Sequence, residues 1–311
     1  MKYGFGVDVG GTTVKLACFT ECGEMVSKWE IPTVTENEGT QILPDIAKSI
    51  KDYLEKSGIS QVDLLGVGIA VPGPVGETGT VNQCVNLGWG VKNVAGELSA
   101  LTGMTVKVGN DASVAALGEC WKGGGAGAQN LIMATLGTGV GGGIVLGGKV
   151  LNGTHGAAGE IGHMPIEPEE TEPCGCGNRG CVEQYCSATG VVRLAKKKLS
   201  ETDAPSLLRE KENFSCKDVF DAGAAGDAIA KAVLARVYDY MGRFLAAVAC
   251  TVDPEVIVLG GGVSRAGEPL LEGARRAYEK YAFHACRQAA FRQATLGNDA
   301  GAYGAFKLLL S

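Results

Sequence analysis

The stretch Tyr3-Gly4-Phe5-Gly6-Val7-Asp8-Val9-Gly10-Gly11-Thr12-Thr13-Val14-Lys15 decides how the chain is read. Residues 3–9 form an apolar run of strand length, and a second run at 14–20 follows at once. The pair predicts a hairpin whose tip carries two glycines and two threonines. A turn at Glu21-Cys22-Gly23-Glu24 and a third run at 25–31 extend it to a three-stranded meander. Glycines at such a tip leave backbone N–H groups open to an oxyanion, and the threonine hydroxyls add donors. Asp8, beside the tip, is suited to holding Mg²⁺ directly or through water. Taken alone, the tip reads equally well as a glycine-rich turn with no ligand.

Further along, the pattern recurs. Leu131 to Leu136 reads as a strand, Gly137-Thr138-Gly139-Val140-Gly141-Gly142-Gly143 as a tip, and Ile144-Val145-Leu146 as the start of a return strand. A third strand is expected at 149–152. Two strand–tip–strand units amount to a weak internal repeat, and two tips can grip a polyphosphate where one cannot. A third glycine run, Gly260-Gly261-Gly262, closes the apolar stretch 255–259. It suits the ribose or flat face of a nucleotide, or else a tight strand–helix turn.

Between the two units, a helix is expected at 38–57 from Ile42, Ile46, Ile50 and Leu54, spaced at four. A buried strand at 64–71 closes on Val71-Pro72-Gly73-Pro74, and Asn86 lies in a loop before a helix at 91–101. The strand 105–109 delivers Asn110-Asp111 to the start of a helix at 112–121. Ligands in open α/β sheets gather at the C-terminal ends of strands, so Asp111 is the candidate general base. The same aspartate can equally cap the helix that follows. Lys122 to Ala128, rich in glycine, reads as a hinge. Helices are expected at 188–199, 216–223, 226–252, 267–283 and 299–310.

Composition narrows the function classes. The 311 residues allow two domains, and 45% hydrophobic with 20% charged content is ordinary for a globular chain. A net charge of −6 argues against a nucleic-acid surface. No run approaches the roughly 20 apolar residues of a membrane helix. The N-terminus lacks a signal-peptide core, which makes the cytoplasm the expected location. Glycine is in surplus, with 48 residues, which suggests close backbone approach to ligands or many tight turns. Of eleven cysteines, eight are scattered through apolar segments and read as buried free thiols. The other three fall in Cys174-Gly175-Cys176-Gly177-Asn178-Arg179-Gly180-Cys181-Val182-Glu183, just after Glu160-Ile161-Gly162-His163. Clustered thiolates and an imidazole suit a tetrahedral zinc shell, with the two glutamates left for a small polar substrate. The alternative is metal-free cysteines packed as small hydrophobes, for which this glycine-rich segment offers few apolar partners.

These motifs together resemble the ROK family of sugar kinases and repressors, within the actin-like, hexokinase-type ATPase fold. The resemblance runs from Asp8 to the C-terminal helix. Glu160-Ile161-Gly162-His163 and the cysteine run are its most specific parts, and the bacterial glucokinases fit best. It implies an α/β protein of two ribonuclease-H-like domains with mixed sheets and a cleft between them. The small N-terminal domain would span 1–120 plus about 299–311, and the large one 121–298, with a zinc insert at about 163–183. The implied activity is phosphoryl transfer from ATP, with Mg²⁺, to a hexose, most simply glucose. Other hexoses, N-acetylhexosamines or a repressor role are the alternatives. The resemblance makes Asp111 the base. It has Gly73, Asn86, Asn110, Asp111, Glu160, His163 and Glu183 hold sugar hydroxyls, and His163, Cys174, Cys176 and Cys181 bind structural zinc. Asp8, Gly10, Gly11, Thr12, Thr13 and Lys15 would serve the phosphates, as would Gly137, Thr138, Gly139 and Gly141. Gly260, Gly261 and Gly262 would lie near the adenosine. Family members are commonly homodimers. His155, near the sugar motif, reads as structural or as a contact to substrate or a partner subunit, His284 as a helix-end residue, and Lys196-Lys197-Lys198 as a solvated helix face.

Overall fold

In a computed structural model, residues Met1–Leu310 are described. The chain divides into two units. The first is built from Met1–Gln129, Gly143–Gly159 and the stretch from Leu296; the second from Asn130–Gly142 and Glu160–Thr295. Against an expected boundary after residue 120, the first unit runs on to Gln129 and also takes in 143–159. Local bonding explains this. Gly148 N–H donates to Gln129 O at 2.9 Å, and Gly143 packs on Ala116 of the preceding helix.

In the first unit, strands β1 (Tyr3–Val9), β2 (Thr13–Thr20), β3 (Met25–Pro32) and β4 (Leu64–Val71) follow the expected order. Two short strands, β5 (Thr80–Val81) and β6 (Lys92–Asn93), form a separate two-stranded ribbon, and β7 (Val106–Asn110) completes the main sheet. That sheet runs β3-β2-β1-β4-β7, with β1 antiparallel to β2 and parallel to β4, and β4 parallel to β7. Alternation along β1 sends Phe5, Val7 and Val9 to one face, where they join the core that Ile42, Ile46 and Ile50 fill from the helix Ile42–Ser57. That helix starts four residues later than expected. Asn37 and Glu38 sit at φ 50° and 60°, the left-handed region, so no continuous helix can run through them.

The opposite face of β1 and β4 carries glycines, because the helix Ala300–Leu309 lies almost on the backbone. A Cβ on Gly6 or Gly68 would overlap the carbonyl of Ala302 or Ala305. Phe306 of this helix stacks on Phe19 with centroids 4.9 Å apart. Much of the glycine surplus therefore serves helix-on-strand packing as well as ligand approach.

The second unit's sheet holds β8 (Leu131–Leu136), β9 (Val140–Leu146), β10 (Lys149–Val150), β11 (Val256–Gly260) and β12 (Ala290–Gln293), in the order β10-β9-β8-β11-β12. Strand β11 is parallel to both β8 and β12, whereas β9 and β10 are antiparallel. The unit boundary falls inside β9, after Gly142. The helix Ala228–Val252 buries Ile229, Val233, Val237, Met241, Leu245 and Val248, as the spacing predicts. All eleven cysteines are free. Contrary to expectation, Cys22 and Cys250 are exposed and Cys216 is half-buried, because each sits at a turn or on the outer face of a helix. Among the described residues no helix is long and apolar enough to cross a membrane.

Candidate active site and metal centre

Parallel pairing of β1, β4 and β7 puts their C-terminal ends at one edge of the first sheet. There β1 ends on Asp8 and the glycine tip, β4 leads to Gly73, and β7 ends on Asn110. Asn110 caps the helix Asp111–Lys122, its Oδ1 accepting the Ser113 N–H at 3.1 Å. The cap is thus the residue before Asp111. Asn110 Nδ2 donates to Gly73 O at 3.2 Å and to Asp111 Oδ1 at 3.0 Å, and the Ala112 N–H reaches the same Oδ1 at 2.8 Å. Two donors on one oxygen fix the direction of the Asp111 carboxylate. Gly73 reaches this arrangement at φ +95°, a conformation that strains any other residue. Asn86 is exposed on the turn Val85–Leu87. Nearby Cys84 is buried; burial pushes its thiol up, and the charge of Asp111 adds to the effect.

Asp8 is half-buried on the glycine face of β1, with Gly301 of the C-terminal helix against its carboxylate. Burial raises its carboxyl to about 6; Lys15, opposite it in the β1–β2 register, opposes the rise, and Asp111 adds to it. The tip itself is Gly10–Thr12, since Thr13 already belongs to β2. Gly10 N–H donates to Thr13 O at 3.0 Å. Thr33 holds the other side, its Oγ1 donating to Gly10 O at 2.7 Å and its N–H to Thr12 O at 3.0 Å. Of the tip's amides, those of Gly11 and Thr12 have no hydrogen-bond partner among the described residues.

In the second unit the tip is Gly137–Gly139, shorter than expected, because Gly141, Gly142 and Gly143 are paired within β9. Its bonding follows the same plan. Gly137 N–H donates to Gly139 O at 2.9 Å, Ala188 N–H to Gly137 O at 2.8 Å, and Thr189 Oγ1 to Thr138 O at 2.8 Å. Val140 N–H donates to Glu183 Oε2 at 3.0 Å. Again two successive amides, Thr138 and Gly139, have no hydrogen-bond partner among the described residues. Adjacent unpaired N–H groups form an anion-binding concavity. Thr33 and Thr189, which hold the tips, carry no local sequence signal; each acts from a distant element. Beyond β11, Gly261 turns at φ +80° and Gly262 lines a cavity of about 1160 Å³ floored by Phe220, Leu234, Val263, Pro269 and Ala277.

The zinc stretch folds into one cluster. The ligand atoms of His163, Cys174, Cys176 and Cys181 lie within 4.8 Å of one another. Cys176 and Cys181 Sγ are 3.7 Å apart, and Cys174 Sγ is 3.9 Å from His163 Nδ1. Zn–S bonds of about 2.3 Å at tetrahedral angles require sulfur separations of about 3.8 Å, so the donor set fits Zn²⁺. Nδ1 faces the sulfurs, while Nε2 lies 4.0 Å from Glu160 Oε2, itself exposed. The loop is anchored independently: Arg193 donates to Glu170 at 2.7 Å and Glu172 at 3.0 Å, and Tyr185 Oη donates to Glu170 at 2.5 Å. Burial works against the Glu170 charge, but these bonds outweigh it and hold the carboxyl at about 2. His155 is exposed in a turn.

The model of the ROK family matches residues 4–311. The chain belongs to the ROK family. It is 45% identical over 304 residues to a glucokinase of Halalkalibacterium halodurans, covering 96% of this chain and 92% of that one. Among solved structures it is similar to the ROK hexokinase of Thermus thermophilus, at 31% identity and a TM-score of 0.78, over 97% and 96% of the two chains. It is also similar to a ROK glucokinase from Streptomyces griseus solved with glucose and AMPPNP, at 33% identity and a TM-score of 0.74, over 98% of each chain. The protein is a sugar kinase of this family, and its two mixed sheets are those of the actin- and hexokinase-like fold.

Proposed function

We propose that the protein transfers the γ-phosphoryl group of ATP to a hexose, and that the hexose is glucose. The observation carrying this reading is the shared sheet edge, where the Asp111 carboxylate, the Gly73–Asn110 clamp and the tip beside Asp8 end parallel strands of one sheet. Phosphoryl transfer needs positioning and charge neutralisation more than covalent help. The paired amides of Gly11–Thr12 and Thr138–Gly139 would receive phosphate oxygens, and the cavity beside Gly262 would take the base. Mg²⁺, held near Asp8, would supply the neutralising charge. Asp111, oriented by Asn110 and the Ala112 N–H, takes the proton of the attacking hydroxyl. Asn110, Glu160, Glu183 and the Nε2 of His163 read the other hydroxyls. Zinc on His163 and the three cysteines would have no open position, so it supplies structure by fixing the His163 ring and the loop. The family's usual assembly supports a homodimer, which sedimentation would test.

A positioned base contributes about 10²–10⁴-fold. Asp111→Asn and Asp111→Ala should lose that much kcat while glucose affinity, measured calorimetrically, stays near wild type. Near-normal turnover in Asp111→Ala would remove it from the base role. A coupled assay over glucose, fructose, mannose and N-acetylated hexosamines tests the substrate. A higher kcat/KM on any other sugar would sink the glucose assignment while leaving the kinase.

A further inference from the structure

One side chain touches both the metal loop and the second glycine tip. Glu183 opens the short helix Glu183–Cys186, two residues after the ligand Cys181. Its Oε2 accepts the Val140 N–H at 3.0 Å, and its Oε1 lies 3.6 Å from Cys174 Sγ. A Cβ on Gly139 would overlap the Glu183 carboxylate, so glycine there makes room for that carboxylate. Within the tip Gly137 N–H bonds Gly139 O, and the Gly137 and Thr138 carbonyls accept from Ala188 N–H and Thr189 Oγ1. Val140 N–H, the first amide past the tip, is held by the Glu183 side chain, and that bond sets the rotation of the peptide that follows Gly139.

We propose that Glu183 is a positioning residue for the phosphate tip: it holds the Gly139–Val140 peptide so that the Thr138 and Gly139 amides stay turned toward an anion, and it ties that geometry to the cysteine loop. A carboxylate beside a phosphate site is electrostatically unfavourable, which gives its placement there a structural rather than an anion-binding purpose. Its contact with Cys174 makes the nucleotide side of the reaction sensitive to the integrity of the loop.

This inference rests on reading Gly137–Gly139 as a phosphate site, and the test separates the two. MgADP affinity is measured calorimetrically for the wild type and four variants, with thermal unfolding as a check on folding. Glu183→Ala, lacking the acceptor, should bind MgADP about 10–100-fold more weakly, as expected for losing a hydrogen bond to a charged group. Glu183→Gln keeps a carbonyl for Val140 N–H and should recover most of that loss, with KM for ATP restored before kcat. Gly139→Ala, which displaces the carboxylate sterically, should show the same MgADP loss with Glu183 still present. Thr189→Ala, which releases the Thr138 carbonyl, should also weaken MgADP. If Gly139→Ala and Thr189→Ala weaken MgADP but Glu183→Ala does not, the phosphate tip stands and the positioning role falls. If all the variants bind MgADP like the wild type, the phosphate reading itself is wrong, and the inference falls with it.

Discussion

Asp8, proposed above to hold Mg²⁺, shows what a buried carboxylate does to stability. Its carboxyl is held at about 6, above the ordinary 3.8, chiefly by burial. The fold therefore prefers the protonated form. The stability this group contributes is fully present below about pH 3.8 and is lost as pH rises through about 6. Asp8→Asn, fixed in the neutral form, should stabilise the Mg²⁺-free protein at pH 7.5 by on the order of 1–3 kcal/mol, and by much less at pH 4. The same variant should lose at least tenfold in kcat/KM if Asp8 holds the metal. An equal shift in Tm at both pH values would contradict this account. Residue types were legible here because chemistry is local: an Asp before Gly10-Gly11-Thr12, and an Asp after a strand, point to their own candidate roles. Their partners were not. Nothing near Thr33 in sequence marks it as the brace of Gly10, and the capping of the helix by Asn110 rather than Asp111 is decided by which side chain reaches the Ser113 N–H.

At the scale of elements, the apolar spacing found the strands and long helices, because burial on one face imposes period 2 or 3.6. It missed β5, β6 and β12, which are too short or too exposed to carry a period. It also overextended the second tip, since Gly141–Gly143 in sequence look like a turn yet pair within β9. Glycine identity could not distinguish a ligand-facing amide from a helix lying on a strand. Gly304 belongs to the second kind: a Cβ there would overlap the Val114 carbonyl. Gly304→Ala should destabilise the first unit by about 1–3 kcal/mol or more, read as a lower urea midpoint at unchanged m-value. The cysteine loop has two anchors, the proposed zinc ligands and the Arg193–Glu170–Tyr185 cluster. Chelation should therefore expose residues 164–182 to protease only partly, and Arg193→Ala should make cleavage after chelation several-fold faster. Equal cleavage in both would show that the metal alone holds the loop.

Across the whole molecule, the chain leaves the first unit and returns to it, and one buried carboxylate stands by the points of departure and re-entry. Glu119 is fully buried, and its side chain accepts the Gly124 N–H at 2.7 Å and the Leu296 N–H at 2.8 Å. Glu119→Ala should cost about 3 kcal/mol by removing the buried acceptor that these two half-buried amides share, and Glu119→Gln about half of that, measured by urea unfolding. The re-entering stretch ends in the helix Ala300–Leu309, whose Phe306 and Ala302 close the glycine face of β1 and β4. During synthesis the order of events is then set. The first sheet leaves the ribosome early but waits, with that face bare, until the latest-made of the described helices emerges. Strands β8 to β12 are all made before that helix. Nascent chains should remain protease-sensitive around β1–β4 until Phe306 has emerged, and a permuted chain carrying 296–310 ahead of β1 should lose that delay.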